Sequence, residues 1–106
     1  MYAIAIMRYR RPLDEVLAAT DEHRAYLQTL KQQGILVASG PLVPRYGGAL
    51  LLNVPDDDPE GALDRVRDGD PYWQRGLAQY ESLVWNPITG REDLDRIAAG
   101  VAGGAA

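Results

Sequence analysis

The sequence predicts an α+β fold in which the elements run β-α-β-β-α-β and the four strands form one antiparallel sheet. Three observations carry this. Short β-rich apolar runs occur at four places, and helical periodicity separates the first from the second and the third from the fourth. The connection between the two middle runs, "VPRYGG", is too short for anything but an antiparallel pairing.

The first strand is "YAIAIMRY", residues 2–9, which ends at "RRP". Pro12 suits the first turn of a helix, and Asp14 and Glu15 add favourable charge near its N-terminus. The helical pattern then runs unbroken to Gln33, with Gly34 as a natural C′ residue. "ILVASGPL" is the second strand, broken by Gly40-Pro41, and "YGGALLLNV" is the third, with Gly47-Gly48 read as its turn. In "PDDDPEGALDRVRDGD" either Asp57 or Asp58 can cap a helix that Pro59 opens and whose Leu63 and Val66 face inward. A short helical piece, "PYWQRG", leads to the fourth strand, "AQYESLVWN". These connection lengths are those of a ferredoxin-like split βαβ.

Residues 1–87 read as one domain, and residues 88–106 as a C-terminal tail. In the tail, "TGRE" matches a capping box with Thr89 at the cap and Glu92 three residues on. "REDLDRIAAG" then suits a short helix with Leu94 and Ile97 on one side, while "VAGGAA" is expected to fray.

Composition excludes several functions. At 106 residues, 46% hydrophobic and 25% charged, the chain fits one ordinary globular domain with a modest core. It has no cysteine, which removes disulfides, thiolate metal sites and cysteine nucleophiles. One histidine cannot build a multi-histidine metal site within a subunit, so no metal is expected. The net charge of −4 argues against nucleic acid or an anionic membrane as a partner. No run of about 18 apolar residues could span a bilayer, and the N-terminus lacks the pattern of a signal peptide, so a cytoplasmic protein is expected. No cofactor motif occurs. "DDD" at 56–58 is better explained by capping than by calcium, which needs six or more oxygen ligands.

The single histidine is oddly placed. Val16, Thr20, His23, Leu27 and Leu30 fall on one stripe of a helix face that should look inward. A buried imidazole satisfied by a carbonyl is the plain explanation. Asp70, after a glycine and before Pro71, is on the plain reading the N-cap of the short helix. The topology places both on the same face of the sheet, where a carboxylate beside an imidazole makes a general base. Ser39 and Gly40 in "ASGPL" suit a ligand-binding strand end, with a bare strand end as the alternative. Tyr72 and Trp73 suit either an aromatic pocket wall or core.

"HRAYLQTLKQQGILVASGPL", followed by "GGALLL" and "DGDPYWQRGLAQYESLVWNP", resembles the YciI-like family over roughly residues 1–87. The resemblance implies a ferredoxin-like fold of the dimeric α+β barrel kind and a candidate site made of His23 and Asp70. Relatives of that family include muconolactone-isomerase-like barrels and a dehydrochlorinase acting on a chlorinated hydroxyquinol. The acidic "PDDDPEG" segment and the tail depart from the simplest members. Haem monooxygenases share the barrel, and His23 is the one histidine available to haem. The expectation is a cofactor-free proton-transfer enzyme for a small cyclic or carbonyl compound. Two alternatives stand: a non-catalytic ligand-binding dimer, and a structural protein with a satisfied histidine. A homodimer joined through its sheets is expected, because both faces of the strands are largely apolar while helices can cover one.

Overall fold

The computed structural model describes the backbone of residues 1–105 and the side chains of residues 1–101. Four strands, β1 (Tyr2–Tyr9), β2 (Leu36–Pro41), β3 (Gly47–Asn53) and β4 (Ala78–Trp85), form an antiparallel sheet in the order β2-β3-β1-β4. β1 is central, with Ile4 opposite both Leu51 and Leu83. The α+β, ferredoxin-like reading therefore stands.

The segment expected to be one helix is two, α1 (Leu13–Ala18) and α2 (Thr20–Gln32). At the break, Ala19 has φ −106° and ψ 5°, and its N–H bonds to the Val16 carbonyl. The Thr20 hydroxyl donates to that same carbonyl at 3.2 Å, a back-bond that bends helices. The buried stripe survives the bend: Val16, Thr20, His23, Leu27 and Leu30 all face inward. α2 ends in a Schellman motif, with the Gly34 N–H on Lys31 O and the Ile35 N–H on Leu30 O. Gly34 takes φ 77° there, which a side chain would oppose.

α3 (Pro59–Asp68) is capped by Asp58, whose carboxylate accepts the Gly61 N–H at 3.1 Å. α4 (Pro71–Gln74) is one turn. Ala3, Ala5, Met7, Leu50 and Leu52 point from the sheet to Val16, Leu27, Leu30, Leu63 and Val66, and together they form the core.

Two turn expectations are corrected. Gly40-Pro41 does not break β2, which continues through Pro41; the irregularity is a bulge between Leu36 and Ala38. Pro41 is tolerated because β2 is an edge strand. Gly47-Gly48 is not a turn but the start of β3. A Cβ on Gly47 would stand 1.9 Å from the Met7 carbonyl oxygen, so glycine lets the β1 backbone come close.

The tail forms α5 (Arg91–Ala105), longer than the expected short helix. The backbone expected to fray stays helical to Ala105, and residue 106 lies outside the described residues. No hydrogen bond from Thr89 occurs among the described residues. Gly90 at φ 85° precedes the helix instead, and Arg91 bonds back to Pro87 O and Asn86 Oδ1. Ala98 is buried, Leu94 is half-buried, and Ile97 faces solvent. Asp95 accepts the Tyr2 hydroxyl at 2.6 Å and Arg91 lies over the Tyr2 ring, which fastens the tail to the start of β1.

Candidate active site

α2 and the turn before α4 bring the two site residues together. His23 Nδ1 lies 2.8 Å from Asp70 Oδ1, and the two are 7% and 0% exposed. The same Asp70 oxygen accepts the Tyr72 N–H at 2.9 Å, so Asp70 is the N-cap of α4 and the partner of His23 at once. Its other oxygen accepts the Tyr80 hydroxyl. Burial first, and then the Asp70 charge and hydrogen bond, hold the Tyr80 hydroxyl far above the ordinary phenol range. Tyr80 is therefore a permanent donor. A carboxylate only accepts, so Nδ1 carries a proton toward Asp70, and in the neutral imidazole Nε2 keeps a lone pair.

Nε2 has no hydrogen-bond partner among the described residues, and no buried side-chain nitrogen or oxygen there is left unpaired. Nε2 is therefore not sealed off from its surroundings. The opening is a cavity of about 240 Å³ between α2, β2, β3 and α4, lined by His23, Ser39, Gly40, Leu27, Leu50 and Tyr72, among others. Of the residues expected at a site, His23, Ser39, Gly40 and Tyr72 line it, and Asp70 stands behind His23. Ser39 pairs with inward-facing Leu50, which turns its side chain to the same side. A Cβ on Gly40 would touch nothing within 4 Å, so the strand leaves open space there.

The Tyr72 ring stacks on the imidazole, with centroids 3.9 Å apart and planes 5° from parallel. Its hydroxyl is 2.8 Å from Thr20 Oγ1. Thr20 has one proton and gives it to Val16 O, so Tyr72 donates to Thr20. Trp73 does not join the cavity. It packs edge-on to Tyr80, under the Arg67 guanidinium.

Sequence reasoning missed Tyr80, Tyr9, Arg24 and Arg45. Tyr80 was readable in part, because Ala78, Tyr80 and Ser82 share the helix-facing side of β4. Tyr9 and Arg45 are neighbours only through the sheet register, since the Tyr9 N–H bonds to Tyr46 O.

The profile of the YCII-related domain matches residues 1–86. The chain belongs to the YCII-related family. α5 lies beyond the matched domain, and among the described residues no tail residue lines the His23 cavity. Among solved structures, the chain resembles the 5-chloro-2-hydroxyhydroquinone dehydrochlorinase of Burkholderia phenoliruptrix AC1100, in complex with 2,5-dihydroxybenzoquinone. The TM-score is 0.65 at 19% identity, over 81% of this chain and 95% of that one. The likeness is one of fold. No curated protein matches the chain. Among the described residues, no helix is long and apolar enough to cross a membrane.

Proposed function

We propose that this YCII-family domain is a small-molecule enzyme in which His23, oriented by Asp70, transfers a proton without a cofactor. The observation that carries the reading is the pairing at His23: Nδ1 is tied to a buried carboxylate, while Nε2 opens into a cavity. Nε2 takes a proton from carbon beside a carbonyl, and Asp70 stabilises the imidazolium that forms. The electron pair left on carbon then has two outlets. Reprotonation at another carbon completes an isomerisation. Departure of a β leaving group with its own pair, such as chloride, completes an elimination. The structural neighbour is named as a dehydrochlorinase, an activity that removes HCl, and this supports the reading. Ser39, Gly40 and Tyr72 hold the substrate, a small cyclic or carbonyl compound.

The test is exchange of the ring protons of 4-oxocyclohexanecarboxylate in D2O, followed by NMR. The protein should accelerate exchange and His23→Gln should not; equal rates for the two proteins would overturn the reading.

The same reading includes a cytoplasmic homodimer. Beyond the Tyr2 end, where α5 lies, the helices leave the other sheet face open, and it carries Ile4, Ile6, Leu51, Leu83 and Trp85. Leu83 and Trp85 are 46% and 41% exposed. A continuous apolar patch of this kind usually marks an interface. Light scattering at micromolar concentration should give about twice the 11.6 kDa chain mass. The single-chain mass at that concentration would count against it.

A further inference from the structure

The charge around the His23 cavity is the reverse of the molecule's. The chain has 15 acidic and 11 basic residues, yet the cavity lining holds Arg24 and Arg45 and no carboxylate. Most arginines are neutralised locally: Arg8, Arg11, Arg65, Arg67, Arg75 and Arg96 each hold an acidic side chain. Among the described residues, Arg24 and Arg45 hold none.

Arg45 is also positioned. It follows Pro44 on the loop between β2 and β3, with its Nε 3.4 Å from the Tyr9 hydroxyl oxygen and the Tyr72 hydroxyl close by. Tyr9 meets the Tyr72 ring edge-on, at a centroid distance of 6.1 Å, and Tyr72 in turn is stacked on His23. The guanidinium therefore stands on the same aromatic wall as the base. The Tyr72 hydroxyl proton is spent on Thr20, which leaves Arg45 as the charged donor on that wall. Met7, Leu27 and Leu50 add apolar lining to the cavity.

We infer that the cavity takes a small ring compound bearing an ionised oxygen, a carboxylate or an enolate, and that Arg45, helped by Arg24, binds that oxygen. This rests on the proton-transfer reading and adds the substrate's charge to it. The net charge of −4 repels anions at long range, so a preference for them has to be made locally. A guanidinium is the side chain suited to it, because it is always charged and offers a planar fork of donors. The anchor does a second job when the ionised oxygen belongs to an enolate, since it then stabilises the charge that proton removal creates.

The experiment has two arms, one for each source of the oxygen. In the first, exchange is compared for 4-oxocyclohexanecarboxylate and its neutral amide. In the second, calorimetry compares 1,3-cyclohexanedione, ionised as its enolate at neutral pH, with the neutral 3-methoxycyclohex-2-enone. The anion should be favoured about tenfold or more in at least one arm, as expected for a hydrogen bond to a charged group. The arm that shows it names the oxygen. Arg45→Gln should erase the preference, while Arg10→Gln, an equal loss of charge outside the cavity, should keep it. Equal treatment of anion and neutral partner in both arms, or a preference that survives Arg45→Gln, would overturn the inference. A failure of the proton-transfer reading looks different: exchange of the neutral amide would then be indifferent to His23→Gln.

Discussion

Asp70→Ala should cost about 3–5 kcal/mol of unfolding free energy, because it orphans three buried donors at once. Asp70 is fully buried, and its two oxygens accept from His23, Tyr72 and Tyr80. Alanine leaves those three donors without an acceptor, and each orphaned buried donor costs about 1–3 kcal/mol. It also removes the cap of α4, and with it the turn that leads into β4. Urea unfolding reads the loss directly. A change below about 1 kcal/mol would mean that the three bonds are not made in solution. Asp70→Asn is the gentler companion. Its amide oxygen in the place of Oδ1 still caps α4 and still accepts from Nδ1, and its NH2 faces the Tyr80 oxygen. The imidazole keeps its orientation but loses the charge that stabilises the imidazolium, so exchange should fall while the loss of stability stays below that of Asp70→Ala.

His23→Gln should reduce catalysed proton exchange by about 10²–10⁴-fold, the usual contribution of a positioned base. Its cost in stability should be much smaller, about 1–2 kcal/mol, because Asp70 keeps the Tyr72 and Tyr80 donors when the imidazole goes. What is lost is one hydrogen bond and the stacking on Tyr72. Exchange and urea unfolding measured on the same preparation separate the two effects. A stability loss of 4 kcal/mol or more, well beyond that of about one hydrogen bond, would mark His23 as chiefly structural.

The parts of this protein that are legible in its sequence are those governed by local rules. Helical spacing placed His23 beside Leu27 and Leu30 on a buried face, and the Asp70-Pro71 step announced a cap. The pairing of His23 with Asp70 followed from topology, because a split βαβ puts both on one face. The misses arose where tertiary contact overrides local preference. The break at Ala19 depends on the Thr20 hydroxyl taking a backbone acceptor, and periodicity does not register it. Gly47 and Gly48 look like a turn, yet the approach of β1 requires glycine inside a strand. Thr89 and Glu92 have capping-box spacing, but Arg91 holds the chain to Pro87 and Asn86 and starts the helix one residue later. Arg45 lies in a loop with no pattern of its own. Its place on the aromatic wall exists only once β2, β3 and β1 are in register.

The double employment of Asp70, as cap and as partner of the imidazole, separates what keeps the chain folded from what keeps it useful. Natural proteins sit only slightly above the stability they need, so a loss of several kcal/mol is purged whatever the protein does. Drift under selection for folding alone would hold Asp70 in place, together with the turn it caps. It would not hold His23, whose removal leaves the carboxylate two of its three donors. A descendant that had lost its chemistry would therefore carry the aspartate as a relic and almost any side chain in place of the histidine. Such a lineage also keeps the cavity and its carboxylate in working order, and a single codon change would return the base.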